Sequence, residues 1–445
     1  MQYRRMRRLL PLIHGGAMSK TYCGACRGER GCRDCRAVAG TAHYTGLTDF
    51  YADDTIPVRT EEDGFVQEND AKAFCDKVLF LAADLGTTTL AFVCADQNGK
   101  VLASYGCENP QRKVAADVVG RIDASLHGQG EKLTNEIREA LVKGFLFVLN
   151  RGQGKVCGTG RGTEEITIQV AIAGNTVMQH ILLGYPLGTM ARAPFEPYKK
   201  ETVRCDFSAL FGETSQASCV PQMLKQAEVT VFPCLSAFVG GDIVAGAEAV
   251  FTGRKDCKEL LIDLGTNGEI LLSAKGCRYG TAAAMGSAFE GGRYAYASEL
   301  FGKIADALKR GIMDETGLLC EPYFTGGYEG LLQEDVREFQ LAKGALRAGI
   351  ELICRYGHVE LPRIDRVYLA GGLGQYCNQE DLFTTSLLPK EFKGKVTVVG
   401  NSCIGGMLSV LKKRKTVIYC EGEILNLAEQ PEFEALYYRF MNFEK

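Results

Sequence analysis

LAADLGTTTLAFV, from Leu81 to Val93, and LLIDLGTNGEILL, from Leu260 to Leu272, share the tetrapeptide Asp-Leu-Gly-Thr inside apolar runs. The two aspartates, Asp84 and Asp263, stand 179 positions apart (263 − 84). In each copy an apolar strand reaches the aspartate, a Gly-Thr turn follows, and a second apolar strand begins. A third strand comes next in both: VLASYG after the turn QNGK, and CRYGTAAA after KG. The chain therefore opens each of two halves with the same β-hairpin sheet.

A strand that ends in Asp and turns through Gly-Thr sets one carboxylate beside several backbone N–H groups and hydroxyls. N–H groups and hydroxyls suit phosphate oxygens, and the carboxylate suits Mg²⁺ or its waters. One such hairpin is equally well a plain strand–turn–strand with a capping aspartate. Two of them, followed by VYLAGGLGQ (Val367 to Gln375), form a pattern that two bland turns do not explain. That third element is an apolar strand ending in Gly-Gly-x-Gly, which lets backbone approach a flat ligand closely, as an adenosine site requires.

The order of phosphate hairpin, second phosphate hairpin and adenosine glycines resembles the acetate and sugar kinase, Hsp70 and actin (ASKHA) superfamily. The resemblance implies an α/β fold of two duplicated halves, with ATP and Mg²⁺ in the cleft between them. It goes further. AGNTVMQHILLGYPLGTMARAPFEP (173–197), FVGGDIVAGAEA (238–249), LLIDLGTNGEILL, AFEGG (288–292), LQEDVREFQLAKGALRAGIELI (332–353) and VYLAGGLGQY are similar to the ATPase domain of the reductive activators of corrinoid proteins. The similarity runs over roughly residues 79–440. It implies an ATP-hydrolysing reductive activase that returns a Co(II) corrinoid, on a methyl-transfer protein, to Co(I). A corrinoid protein of a methyltransferase system is then the partner, with a ferredoxin-type electron donor as a further one; homodimerisation is also suggested by the resemblance.

On this reading Asp84 and Asp263 belong to the Mg²⁺ sphere. Gly86, Thr87, Thr88 and Thr89 in the first hairpin, and Gly265, Thr266 and Asn267 in the second, contact phosphates. Gly371, Gly372 and Gly374 border the adenosine. Asn175, at the start of a helix, either orients phosphate and water or caps that helix. Asp242 and Glu290, polar residues in glycine-rich stretches, are either catalytic or interface groups or satisfied turn residues. His180, among apolar helix neighbours, reads as a satisfied core histidine.

Composition is that of a globular protein: 445 residues, 46% hydrophobic and 24% charged. A net charge of −3 offers no electrostatic footprint for nucleic acid or an anionic membrane. No apolar run reaches the roughly eighteen residues of a membrane span. The basic start MQYRRMRRLLPLI has too short an apolar part for a secretory signal, so a cytoplasmic protein is expected, with Met1 and Met18 both candidate starts. Length favours several domains. The boundaries expected are a Cys-rich segment at 1–40, a polar acidic linker or small cap at 41–77, a first ASKHA half with an inserted middle region at 78–257, and a second half with a tail at 258–445.

Of 18 cysteines, four form CGACRGERGCRDC: Cys23, Cys26, Cys32 and Cys35, spaced C-x2-C-x5-C-x2-C. Four thiolates this close fit an iron–sulfur cluster or structural Zn²⁺. The corrinoid-activator resemblance implies an N-terminal [2Fe–2S] ferredoxin domain, yet about forty residues are too few for a whole one. The x5 interval departs from the plant-type x4, and Cys75 is the nearby candidate for a fourth ligand. The arginines among them, Arg27, Arg30, Arg33 and Arg36, suit an acidic partner, a charged thiolate cluster or plain solvent. Two other functions stay open: a small-molecule kinase on the same fold, and a nucleotide-gated module that binds corrinoid protein without a redox role.

Overall fold

The structure is a computed structural model and describes residues 77–156, 166–265, 267–285, 297–371, 377–415 and 422–444. Cys23, Cys26, Cys32, Cys35, Cys75, Thr266, Glu290, Gly372 and Gly374 lie outside the described residues. Each Asp-Leu-Gly hairpin opens a six-stranded sheet. The first holds β1 (Lys77–Leu85), β2 (Thr89–Asp96), β3 (Val101–Glu108), β4 (Ile166–Gly174), β5 (Val203–Asp206) and β6 (Glu228–Val231), in the order β3-β2-β1-β4-β6-β5. The second holds β7 (Glu259–Leu264), β8 (Asn267–Ala274), β9 (Cys277–Ala284), β10 (Arg366–Ala370), β11 (Val396–Gly400) and β12 (Glu423–Ile424), in the order β11-β10-β7-β8-β9-β12.

With the edge strands β5 and β12 set aside, the two sheets have the same plan. β1 and β7 each pair antiparallel with the next strand of a meander, and parallel with a strand that returns through a helical crossover. This is the duplicated α/β architecture that the two hairpins predict.

Three apolar layers follow from the period-two alternation of the strands. On the outer face of the first sheet, Leu79, Leu81, Ala83 and Leu85 pack with Leu133, Ile137, Leu141 and Phe145 of α2 (Gly130–Val156), which follows the short α1 (Val118–Ala124). α3 (Thr176–Leu183) covers the same face beyond β4. On the outer face of the second sheet, Leu260, Ile262 and Leu264 pack on α5 (Ala297–Lys309) and α6 (Gln333–Tyr356), with α8 (Phe433–Met441) behind. The third layer lies between the sheets. There α4 (Gly241–Val250) and α7 (Ser402–Lys412) meet Phe80, Ala82, Leu261 and Leu271.

α4 and α7 cross at very close range. A Cβ added to Gly406 would sit 1.6 Å from the Ala245 carbonyl oxygen, and one on Gly246 would sit 2.6 Å from Ser402 Oγ. Only small residues permit that crossing.

The apolar spacing of LQEDVREFQLAKGALRAGIELICRYG (332–357) predicts a long amphipathic helix, and α6 forms there with one difference. Of its expected apolar stripe, Val336, Phe339, Ala345, Ile350 and Ile353 are buried, whereas Leu341 is half-buried. Lys343 and Arg347 are buried in addition, because α8 and the chain after it cover their face. Lys343 Nζ donates to the Asn442 carbonyl at 2.5 Å and lies 4.4 Å from the Phe443 ring centre; Arg347 stacks on Phe440 at 4.6 Å. Among the described residues no helix is long and apolar enough to cross a membrane.

Candidate functional site

The alternation that builds the three layers also aims the acidic residues. In β1 the even-numbered Phe80 and Ala82 face the layer between the sheets, so Asp84 falls on that face as well. In β7 Leu261 faces the same layer, which puts Asp263 there, and in β8 Leu271 does so for Glu269. Asp242 joins them from the first turn of α4. The four residues are half-buried, and their carboxylates gather where the two halves meet.

Their electrostatics are those of like charges in a confined space. Burial first, then Asp242 and Asp84, pushes Asp263 up to about 8. Asp242 is raised by burial and by Asp84. Glu269 is raised well above the ordinary range by burial, Asp242 and Asp263, and it shares a hydrogen bond with Asp242. Asp84 is also raised by burial, against hydrogen bonds from Asn401 and Cys403. Across the β7–β8 ladder Asp263 stands directly opposite Glu269, whereas the residue opposite Asp84 is Ala91. Like charges paired across a ladder are destabilising, so the arrangement asks for a cation.

The donor set suits a hard, oxygen-seeking ion such as Mg²⁺. Among the described residues no three Asp, Glu, His or Cys converge closely enough to hold an ion by themselves. Such an ion is commonly gripped by one or two carboxylates, with waters and ligand oxygens completing its shell. Asp84 and Asp263 are the residues that would hold it.

Hairpin 1 is held from several sides. Fully buried Asn109 donates through Nδ2 to the Gly86 carbonyl at 2.9 Å, and its own N–H donates to the Thr88 carbonyl at 2.8 Å. A Cβ on Gly86 would lie 2.5 Å from the Thr89 carbonyl oxygen, so the turn tolerates only glycine. Asn175 takes the capping role, one of the two that its sequence leaves open, and also reaches the first hairpin. Its Oδ1 caps α3 by accepting from Met178 N at 3.1 Å, which turns its Nδ2 to donate to Thr87 Oγ1 at 3.2 Å.

Hairpin 2 is closed by Gly265 N donating to the Asn267 carbonyl at 3.1 Å. Gly371, with φ of +88°, packs against it: a Cβ there would lie 2.4 Å from the Leu264 carbonyl oxygen and 2.8 Å from Asp263 Oδ1. The glycine after β10 thus lies beside the second aspartate. His180 is a satisfied core residue. Its Nδ1 bonds the Thr176 carbonyl at 2.8 Å, its Nε2 accepts from Lys199 N at 3.3 Å, and burial lowers its pKa.

Sequence reasoning passes over Glu269, Asn401, Cys403, Asn109 and Arg121. Glu269 was legible: it sits six residues beyond Asp263 and shares its face by parity. Asn401 was not, since it reaches Asp84 from 317 positions away. Its Nδ2 donates to Asp84 Oδ2 at 2.8 Å while its Oδ1 caps α7 at Ile404 N, 2.7 Å. The backbone N–H of Gly240 makes the reverse crossing, donating to Glu269 Oε1 at 3.3 Å. Each half therefore reaches a carboxylate of the other from the start of its own helix, α4 or α7.

Two family models match this chain: the RACo middle region over residues 79–252, and the C-terminal domain of RACo, the ASKHA domain, over 258–299 and 330–445. The chain belongs to the RACo family of reductive activators of corrinoid proteins. The matched residues include both hairpins and all four cleft carboxylates. The RACo-family chain is also similar to the corrinoid activation enzyme RamQ of Eubacterium limosum, at 26% identity over 426 residues, covering 80% of this chain and 69% of that one. The solved structure of a reductive activator for corrinoid, iron–sulfur protein shares its fold, with a TM-score of 0.68 at 24% identity over 83% of this chain and 67% of that one.

Proposed function

We propose that this RACo-family protein binds Mg²⁺·ATP between its halves and couples ATP hydrolysis to reduction of a protein-bound Co(II) corrinoid to Co(I). The observation that carries the reading is the cluster of Asp84, Asp242, Asp263 and Glu269 on the inter-sheet face, flanked by two Gly-Thr hairpins. Mg²⁺ held by Asp84 and Asp263 would neutralise the carboxylates and withdraw charge from the phosphates. Asp84 and Asp263 hold its shell. Gly86, Thr87, Thr88 and Thr89 on one side, with Gly265, Thr266 and Asn267 on the other, bind and orient the phosphate chain. Gly371, Gly372 and Gly374 border the adenosine.

Asp242, hydrogen-bonded to Glu269, accepts the proton of the attacking water, and Asn175 keeps Thr87 oriented. The products are ADP and phosphate, with no covalent enzyme intermediate. One electron is needed per cobalt; Cys23, Cys26, Cys32 and Cys35 would hold a cluster able to pass it, or a ferredoxin-type donor would supply it. The step is uphill for ordinary cellular donors, and a nucleotide supplies free energy only if its two states are bound differently by the complex. A site shared by both halves and sitting over the α4–α7 crossing is suited to that.

The test uses the full chain, purified without oxygen. Iron, acid-labile sulfide and zinc are assayed beside a variant with the four clustered cysteines changed to Ala. Co(I) formation on a corrinoid protein is then followed optically with a low-potential reductant, with and without Mg²⁺·ATP. The expected result is ATP-dependent Co(I), lost in Asp84→Asn and Asp263→Asn. Equal rates without ATP, or phosphorylation of an added metabolite in the absence of corrinoid protein, would overturn the reading.

A further inference from the structure

Arg121 is the largest fully buried side chain described, and among the described residues it forms no ion pair. Its three bonds all run to neutral acceptors: Nε to the Ala115 carbonyl at 3.2 Å, Nη1 to Met178 Sδ at 2.8 Å, and Nη2 to the Thr87 carbonyl at 2.7 Å. Asp117 and Glu136 act on it only through space, and Arg112 opposes them. Burial draws the guanidinium down to about 10, so it stays charged at neutral pH. A buried cation held by neutral groups is costly unless an anion stands near.

Two further observations give this a direction. Glu136, on α2, has a buried Oε2 without a hydrogen-bond partner, although its charge is felt at Arg121. An orphaned carboxylate oxygen whose charge reaches a guanidinium that bonds only neutral groups is a second, unused partner. The bond that Arg121 makes instead goes to the phosphate hairpin. A trans peptide sets C=O and N–H on opposite sides, so drawing the Thr87 carbonyl inward turns the Thr88 N–H the other way. Asn175 at the same time donates to the Thr87 hydroxyl, leaving the hydroxyl hydrogen to point elsewhere. Arg121 and Asn175 thereby fix Thr87 at both its main chain and its side chain.

We infer that Arg121 is a positioning residue for the phosphate hairpin, holding the Thr87–Thr88 peptide for an anionic polyphosphate whose charge answers its own, and that Glu136 competes for it. The inference rests on the nucleotide reading above. Without phosphate, Arg121 bonds the Thr87 carbonyl while Glu136 draws on it through space. With phosphate, the hairpin side wins, and α1 is tied to the occupied site through Arg121. The ligand class is a nucleoside triphosphate bound by its phosphate end, and the base and sugar are not involved.

Calorimetric titration of the full chain with the Mg²⁺ complex of adenylyl imidodiphosphate, and separately with adenosine, tests this. Arg121→Met should weaken the triphosphate analogue at least tenfold and leave adenosine within twofold. Glu136→Gln removes the competitor and should tighten the triphosphate several-fold, which loss of a merely structural group would not do. Arg121→Lys keeps charge but not the fork; it should fall between wild type and Arg121→Met, and serves if the latter does not fold. Unchanged triphosphate affinity in a folded Arg121 variant, equal losses for both ligands, or weaker binding in Glu136→Gln would overturn the inference. A wild-type chain that binds neither ligand would overturn the nucleotide reading instead.

Discussion

Asp263 and Glu269 face each other across the β7–β8 ladder, the arrangement a stable sheet avoids. Its cost has a pH signature. A carboxylate whose folded pKa is raised holds its proton in the native state after the unfolded chain has lost it. The native protein then binds more protons than the unfolded one between the two pKa values, and stability falls as pH rises. For Asp263 that window runs from the ordinary 3.8 up to about 8. Metal-free protein should thus lose melting temperature steadily from acid to mildly alkaline pH. Asp263→Asn should flatten that slope and raise the melting temperature at the alkaline end while abolishing ATP hydrolysis. A steeper slope in the variant would mean that Asp263 is not under strain. Parity along the strands puts Asp84, Asp263 and Glu269 on one face, although the hairpin motif marks only the two aspartates. That they meet Asp242 and Asn401 was not legible, because the last two arrive on helices from different halves.

At the scale of the element, the α4–α7 crossing is the tightest contact between the halves. Gly406→Ala places a methyl carbon onto the Ala245 carbonyl, and overpacking of this kind costs about 1–3 kcal/mol or more. Gly302, in the middle of α5, has nothing within 4 Å of an added Cβ. Gly302→Ala should therefore stabilise by about 0.5–1 kcal/mol through helix propensity alone. Urea denaturation of the two variants checks both signs in one experiment. Asn401 offers a finer probe. Asn401→Asp retains a side chain able to cap α7 but replaces the donor to Asp84 with a negative charge. Its melting temperature should match wild type at acid pH and fall below it at alkaline pH. A uniform loss across pH would assign the effect to the cap.

For the whole molecule, a ligand that binds the folded halves together stabilises them by mass action, by about 2.7 kcal/mol at a hundred times its Kd. Mg²⁺ with the ATP analogue should raise the melting temperature by several degrees and remove most of the alkaline destabilisation, since the cation answers the carboxylates. Either component alone should do less. No shift with both present would separate the carboxylate cleft from nucleotide binding.

The repeat of Asp-Leu-Gly-Thr, the meander after each copy and the glycine strand at 367–375 specify a duplicated α/β chain, since hydrophobic alternation and turn residues act locally. The same local rules predict α6 and the aspartates' place at the turns, and they read PEFEALYYRFM (431–441) as the helix α8. Leu341 misled, because burial of Lys343 and Arg347 depends on which chain covers α6, and α8 lies some ninety residues away. Asn401 on Asp84, Arg121 on Thr87 and a Glu136 Oε2 left unbonded among the described residues are likewise products of the tertiary fold. Local patterning decides which face of a strand a residue takes. Which distant residue that face then meets is decided by how the layers stack.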